Sequence, residues 1–452
     1  MQQFVRFAAM FAMLVLWTAA GFAQEGADKP AAAATDGLKP GDVLNQSNWQ
    51  LAKDLLPPEI LKHYETGAYA NKIVDWPLGT YGWAPEFLEA SEKNDGRYDI
   101  GDRGHIVEKA TGEQPLRILG YPFPKIDPKD PNAATKILWN FFYITWYYGN
   151  LHVESQVNWM SPTGLERRSD QDVSFMFFDG QPERYQVPNP ENFLSKQLVR
   201  TLYPADLHGT SALAWRYRDP NKRDSAWAFV PALRRVRAIS PANRSDGFLG
   251  SDMSQDDGPF FDGKPEDFTW TLEGDVDQLR VVDPLNMEGK SNAVWLDTGG
   301  WRSVWADDLQ QFGYQDPNWK GYAWAPVSCA LAKRRLWVIN GVPKDKYYLY
   351  GRIQLFIDKE TFQGSWNRKF SWQGELLNTL QVQAYRAHKY TRPDGQVDYL
   401  QGSNTSFQCA ENIKANRATT AGQKTAPRSA LDSRITFGST YFDTSSMARV
   451  GK

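Results

Sequence analysis

Sulfur is scarce in this chain, whose 452 residues hold two cysteines, Cys329 and Cys409. Neither stands in a nucleophile signature, so thiol catalysis has no support in the sequence. A disulfide between them and two separate buried thiols are both open readings, because distance along the chain does not fix the Cα separation that a bridge requires. Histidine is nearly as rare. His63, His105, His152, His208 and His388 lie scattered, without the close spacing of zinc ligands, and no metal site is expected. No Gly-X-Ser-X-Gly elbow is present. Charge of one sign is missing as well: 51 Lys and Arg face 53 Asp and Glu, which removes any electrostatic pull toward nucleic acid. Beyond residue 20 no apolar run reaches the roughly 20 residues that a membrane-spanning helix needs.

Aromatic residues are plentiful. The chain carries 18 Trp, 20 Tyr and 24 Phe, so either its core or a cavity within it is richly aromatic. The amino end has its own composition. Met1 to Arg6 bears one positive charge, Phe7 to Ala20 is almost wholly apolar, and the small residues Gly21 and Ala23 precede Gln24. This pattern is that of a cleaved secretory signal peptide over residues 1–23. No cysteine follows it, which excludes lipid attachment there. Residues 24–40 are rich in Ala, Gly, Asp and Lys without apolar periodicity and are expected to be a disordered linker. No Pro/Gly/Ser-rich stretch interrupts the remainder, so residues 41–452 are expected to form one domain.

The body of the chain reads mostly as antiparallel strands. Leu213, Trp215 and Tyr217 alternate with Ala214, Arg216 and Arg218, then Asp219-Pro220-Asn221 supplies a turn and Trp227 to Val236 returns as the partner strand. Ile353, Leu355 and Ile357 alternate up to the Asp358-Lys359-Glu360 turn, and Trp366, Phe370 and Trp372 follow. Asp179-Gly180 and Asp394-Gly395 read as two further two-residue turns. Helices are few. One starts at Pro57-Pro58 and stops before Gly67. Another opens at Asp130-Pro131 and runs toward Gly149 with Trp139, Phe142 and Trp146 among apolar residues on nearly every face, so it must be covered on all sides. A core helix and a helix plugging a curved sheet, partly lining a cavity, both fit.

Two motifs fail on inspection. Gly258 to Lys264 has the spacing of a phosphate-binding loop, but Pro265 stands where a Ser or Thr should bind magnesium. Asp252, Asp256 and Asp257 suggest a calcium loop, yet the glycine falls one place late and Gly263 occupies the position of the closing Glu. No catalytic residues and no cofactor are expected. The segment from Trp227 to Asp257 is more informative. It places Arg234, Arg235, Arg237 and Arg244 next to Asp246, Asp252 and Asp256, and two roles are open to these arginines. They could hold the carboxylate or phosphate head of an amphiphile at the rim of a cavity, or pair locally with the aspartates.

In the order of its arginines, Pro241, Arg244-Ser245-Asp246 and Gly250-Ser251-Asp252, this segment resembles a Gram-negative envelope family of unknown activity, described as similar to outer-membrane lipoprotein sorting proteins. Ser47 to Gly67, Lys136 to Gly149 and Leu336 to Phe362 resemble the same family, so the likeness covers most of the chain beyond residue 40. The resemblance implies a mainly β, α+β fold related to the carriers LolA and LolB, a strongly curved antiparallel sheet or half-barrel around an apolar cavity, closed by a few helices. It also implies a periplasmic carrier or accessory protein for a lipid or other hydrophobic ligand, with an outer- or inner-membrane transport protein as partner. Arg234, Arg235, Arg244, Trp215, Tyr217, Trp227, Phe229, Trp139, Phe142 and Trp146 are the ligand-binding residues expected on this reading, and Gly250, Ser251 and Asp252 mark the family. An envelope enzyme acting on a hydrophobic or glycan substrate is the alternative, though no paired carboxylates stand out for it, and a non-catalytic assembly factor for an envelope transporter is a third.

Overall fold

Alternation of apolar and polar side chains sets the architecture. In the computed structural model, which describes residues 37–76, 84–240, 244–282, 291–305, 310–384, 387–401, 407–423 and 430–448, the period-two stretches become one sixteen-stranded sheet with antiparallel pairing throughout its main path. In chain order the thirteen strands of that path are β1 (Leu151–Ser161), β2 (Gly164–Phe177), β3 (Phe193–Tyr203), β4 (Ser211–Tyr217), β5 (Ser225–Val230), β6 (Arg235–Ile239), β7 (Phe268–Val282), β8 (Ala330–Pro343), β9 (Arg352–Asp358), β10 (Gly364–Phe370), β11 (Leu376–Val382), β12 (Gln408–Asn412) and β13 (Arg417–Gln423). Their order in space is β6-β5-β4-β3-β2-β1-β13-β12-β11-β10-β9-β8-β7. Each half is a meander of sequential neighbours, and the halves join where β1 pairs with β13, Trp159 opposite Thr419. The sheet stays open, with β6 and β7 at the two ends of its path. Register shifts at Trp159/Met160, Asp170/Gln171, Phe193/Ser195, Leu272/Gly274 and Phe356/Ile357 bend the strands and sharpen their twist.

The expected leader over residues 1–23, the expected linker as far as residue 36 and the expected Pro241 turn lie outside the described residues. Elsewhere several local expectations meet the chain directly. The β4–β5 and β9–β10 hairpins form, and Asp394-Gly395 turns the small hairpin of Ala387–Thr391 with Val397–Gln401, Gly395 taking a left-handed φ of 83°. Helix α1 (Pro58–Glu65) stops before Gly67, at φ 74°. Helix α2 (Pro85–Asn94) was not foreseen; it buries only Phe87, Ser91 and Asn94, too few apolar positions to mark a periodic face.

Two expectations are corrected. Trp227 to Val236 is not one strand. Pro231 brings no N–H to a ladder, the chain makes a 3-10 turn over Pro231–Leu233, Arg234 turns left-handed at φ 48°, and β6 folds back on β5 with Arg235 opposite Val230. Asp179-Gly180 is not a hairpin turn either. Fourteen-residue β2 is followed by a long connection to β3, and Asp179 is buried in it, accepting hydrogen bonds from Ile118 N (2.7 Å), Tyr143 Oη (2.8 Å) and Arg218 Nη1 (2.6 Å).

Helix α3 (Ala133–Trp146) fills the hollow of the sheet, all but one of its residues buried. It packs into an apolar cluster with Trp337 and Ile339 of β8, Ile353, Leu355 and Ile357 of β9, and Leu380 and Val382 of β11. The other face of this half is also covered. Ile60, Leu61 and Tyr64 of α1 join Phe312, Trp324, Leu331, Phe356, Trp366 and Cys409 in a second cluster. Both sides of the sheet are therefore apolar, which accounts for the aromatic surplus.

Candidate ligand-binding cavity

The chain leaves one end of the sheet at β6 and re-enters at the other at β7, so residues 244–267 must cross the hollow side as a strap. Polar side chains on β10 to β13 hold it there. The Asp252 N–H donates to Thr419 Oγ1 (3.0 Å), Asn378 Nδ2 donates to Asp252 O (3.0 Å), Gln408 Nε2 to Asp257 O (3.0 Å) and Asn367 Nδ2 to Phe260 O (2.8 Å). Lys369 Nζ lies 2.5 Å from Asp257 Oδ1, each side chain 1% exposed. These pairs satisfy the carbonyls of Asp252, Asp257 and Phe260 where the crossing meets the sheet. Gly364 is needed beneath it, since a Cβ there would stand 2.2 Å from the Phe260 ring.

Between the strap and strands β1 to β6 lies a cavity of about 240 Å³. Its wall follows the period of two. Leu151, Val153, Ser155 and Val157 face it from β1, Val173, Phe175 and Phe177 from β2, and Ala212 and Ala214 from β4, with Phe248, Ser251, Met253 and Pro259 supplied by the strap. A narrower recess of about 30 Å³ continues toward α3 and is lined by Phe142, Trp146, Arg216 and Phe261.

A buried ion cluster ends the recess. Arg216 donates to Asp224 Oδ2 from Nε (3.0 Å) and Nη2 (2.9 Å), and to Asp262 Oδ1 from Nη1 (3.1 Å). Arg244 donates to Asp256 Oδ1 (2.5 Å) and Asp262 Oδ2 (2.7 Å), and its Nη1 lies 3.7 Å from Asp224 Oδ2. Burial pushes the Asp262 carboxyl above the usual range in spite of both guanidiniums. Burial works the same way on Asp224, but there Arg216 and Arg244 outweigh it and hold the group low.

The structure separates the residues expected to bind ligand. Arg244 and Ser251 line the cavity, Phe142 and Trp146 line its recess, and Asp252 anchors the strap through Arg417 (3.0 Å) and Thr419. Gly250 turns the strap at φ 74°. Trp215, Tyr217, Trp227 and Phe229 point the other way, one position out of phase with Ala212, Ala214 and Ala226; Trp215, Trp227 and Phe229 pack under Phe437, Tyr441 and Phe442, while Tyr217 packs on Phe178 and Phe193. Trp139 borders a separate small gap beside His105 and Glu266. Arg234, Arg235 and Arg237 are exposed on the β5–β6 turn and the edge strand, away from the cavity wall. The local pairing reading holds for Arg244 with Asp256, while Asp252 takes Arg417 instead. Cys329 and Cys409 are both buried thiols with no bridge between them. The valines of the wall were missed, although the alternation from Leu151 to Val157 carried their signal. Asp262 and Lys369 were missed because their partners come from distant elements, and Asp224 was missed although it meets Arg216 at the end of the β4–β5 hairpin, eight residues away.

Fold and cavity together define a mainly β protein whose open antiparallel sheet and crossing strap enclose an apolar hollow. The chain belongs to the family described as "Protein of unknown function (DUF1329)", which it matches over residues 43–448. Among solved structures it is similar to a DUF1329 family protein from Desulfovibrio piger, at 15% identity and a TM-score of 0.44, over 71% of this chain and 99% of that one. It is also similar to a LolA superfamily protein from Nitrosomonas europaea, at 12% identity and a TM-score of 0.37, over 69% of this chain and 98% of that one. No curated protein matches the chain.

Proposed function

We propose that this protein is a non-catalytic carrier or accessory protein of the bacterial envelope, working in the periplasm and holding a lipid or other hydrophobic ligand between strands β1 to β6 and the strap. One observation carries the reading: a cavity of about 240 Å³ walled mainly by apolar residues, with Val, Phe and Ala the commonest among them. A wall of that kind gives affinity by removing apolar surface from water, at about 25 cal/mol per Å², and needs no reacting group. The periplasmic setting follows from the secretory pattern of the first residues, and agrees with the described residues holding no helix long and apolar enough to cross a membrane. A transport protein of the outer or inner membrane would be the donor or acceptor of the ligand. Native mass spectrometry of protein purified from its own envelope, followed by solvent extraction, should show a stoichiometric hydrophobic adduct. Protein that binds no amphiphile but hydrolyses a glycan or ester would overturn the reading in favour of an enzyme.

A further inference from the structure

The cavity's polar groups limit what kind of head group it can accept. Among the described residues lining it, Arg244 is the one cation and Asp257 the one anion. Both are already compensated. Arg244 is shared among Asp256, Asp262 and Asp224, Arg216 is taken up by two of the same three carboxylates, and Asp257 is paired with Lys369. Two guanidiniums thus face three carboxylates, so the cluster has no positive charge to spare for an incoming anion. The Asp256 carboxylate is held further by Tyr348 Oη at 2.7 Å, which fixes it against displacement. The remaining polar wall is neutral. Gln171 bonds Ser169 and Thr201, Ser251 bonds Met253 and Gln408 holds the Asp257 carbonyl, so the amide of Gln197 and the hydroxyl of Ser155 are the groups that can donate to and accept from a ligand head.

We infer that the cavity selects an uncharged amphiphile, a single apolar chain with a hydroxyl, amide or ester head, and discriminates against carboxylate and phosphate heads. The inference rests on the carrier reading and specifies its ligand. The physical reason is desolvation. An anion drawn into this wall would lose its hydration and meet a cluster in which every cation is taken and carboxylate is in excess, whereas a hydroxyl or amide exchanges its water for glutamine and serine partners.

The test uses the full-length mature protein and three ligands of one chain length: monolauroylglycerol, laurate and dodecyl phosphate. Each displaces N-phenyl-1-naphthylamine, an uncharged fluorescent probe, at mildly alkaline pH and physiological salt. Monolauroylglycerol should bind at least about ten-fold more tightly than either anion, with Ala212→Phe, which fills the cavity, removing the binding of all three. Equal or tighter binding of laurate or dodecyl phosphate overturns the inference and leaves the carrier reading standing. Binding that survives Ala212→Phe also overturns it, because the ligand then sits elsewhere. If no ligand and no probe binds saturably, the carrier reading itself falls. Gln197→Arg gives an independent arm: one uncompensated cation in the wall should raise the affinity for laurate relative to monolauroylglycerol about ten-fold. A variant that folds, as judged by circular dichroism, and gains nothing for laurate counts against the electrostatic explanation.

Discussion

Glu266 shows how a single buried side chain writes a pH dependence into the fold. It sits in the 3-10 turn before β7, 6% exposed, with Lys264, Arg216 and Asp267 the charges that act on it and His105, Trp139 and Arg218 around the gap it borders. Burial pushes its pKa up to about 7, the Lys264 charge only partly opposing this. The unfolded chain would release the same proton near pH 4.3. Between these values the native state keeps a proton that the unfolded state has lost, so stability falls as pH rises from about 4.3 to about 7 and is level above. Glu266→Gln should abolish that decline, leaving stability near pH 4 little changed and raising it at pH 8 by roughly 3–4 kcal/mol. Urea denaturation at the two pH values checks this, and parallel decline in both proteins would refute it. At the same scale the arginine cluster was legible only in part. Closeness in sequence correctly joined Arg244 to Asp256, but Arg234, Arg235 and Arg237 follow a left-handed turn onto an exposed edge. No local pattern foretells that Asp262 would meet Arg216 and Arg244, whereas Asp224 meets Arg216 at the end of the predicted β4–β5 hairpin.

The strap is the element on which the cavity depends, and its seat beneath Phe260 tests that. Gly364→Ala puts a Cβ where the ring lies, with β10 and the strap both fixed by hydrogen bonds, so neither yields freely. The substitution should cost about 1–3 kcal/mol. Hydrogen exchange in residues 252–262 should quicken more than in β2 or β3, and a uniform effect over the sheet would argue against a local seat. Elements of this sort were the least legible. Hairpins β4–β5 and β9–β10 follow from alternation and Asp-rich turns, and α1 from its proline and glycine. The strap has no period, because its conformation is dictated by the strands that it crosses.

For the whole molecule, alternation fixed which residues share a face but not which face is hollow. Trp215 and Trp227 satisfied the pattern for a cavity wall as well as Val173 did, since the outer side is itself covered by the segment around Phe437 to Met447. The two thiols belong to this scale too. Cys409 is wholly buried, its thiol pushed up by burial, and Cys329 is 6% exposed. A thiol reagent should leave both untouched in the native protein and label two per chain after unfolding without reductant, and reductant should not shift the melting temperature. Fewer than two labels would restore the bridge.

The seam between β1 and β13 bears on how the protein comes into being. The first strand of one meander lies against the last strand of the other, in the middle of the sheet. A nascent chain can zip β1 to β6 from local hairpins early, but the flank of β1 reserved for β13 stays an unpaired row of N–H and C=O groups until nearly all of the fold has been made. What ends as an interior seam of the sheet is, during synthesis, an open edge, and a holding chaperone would find its work there.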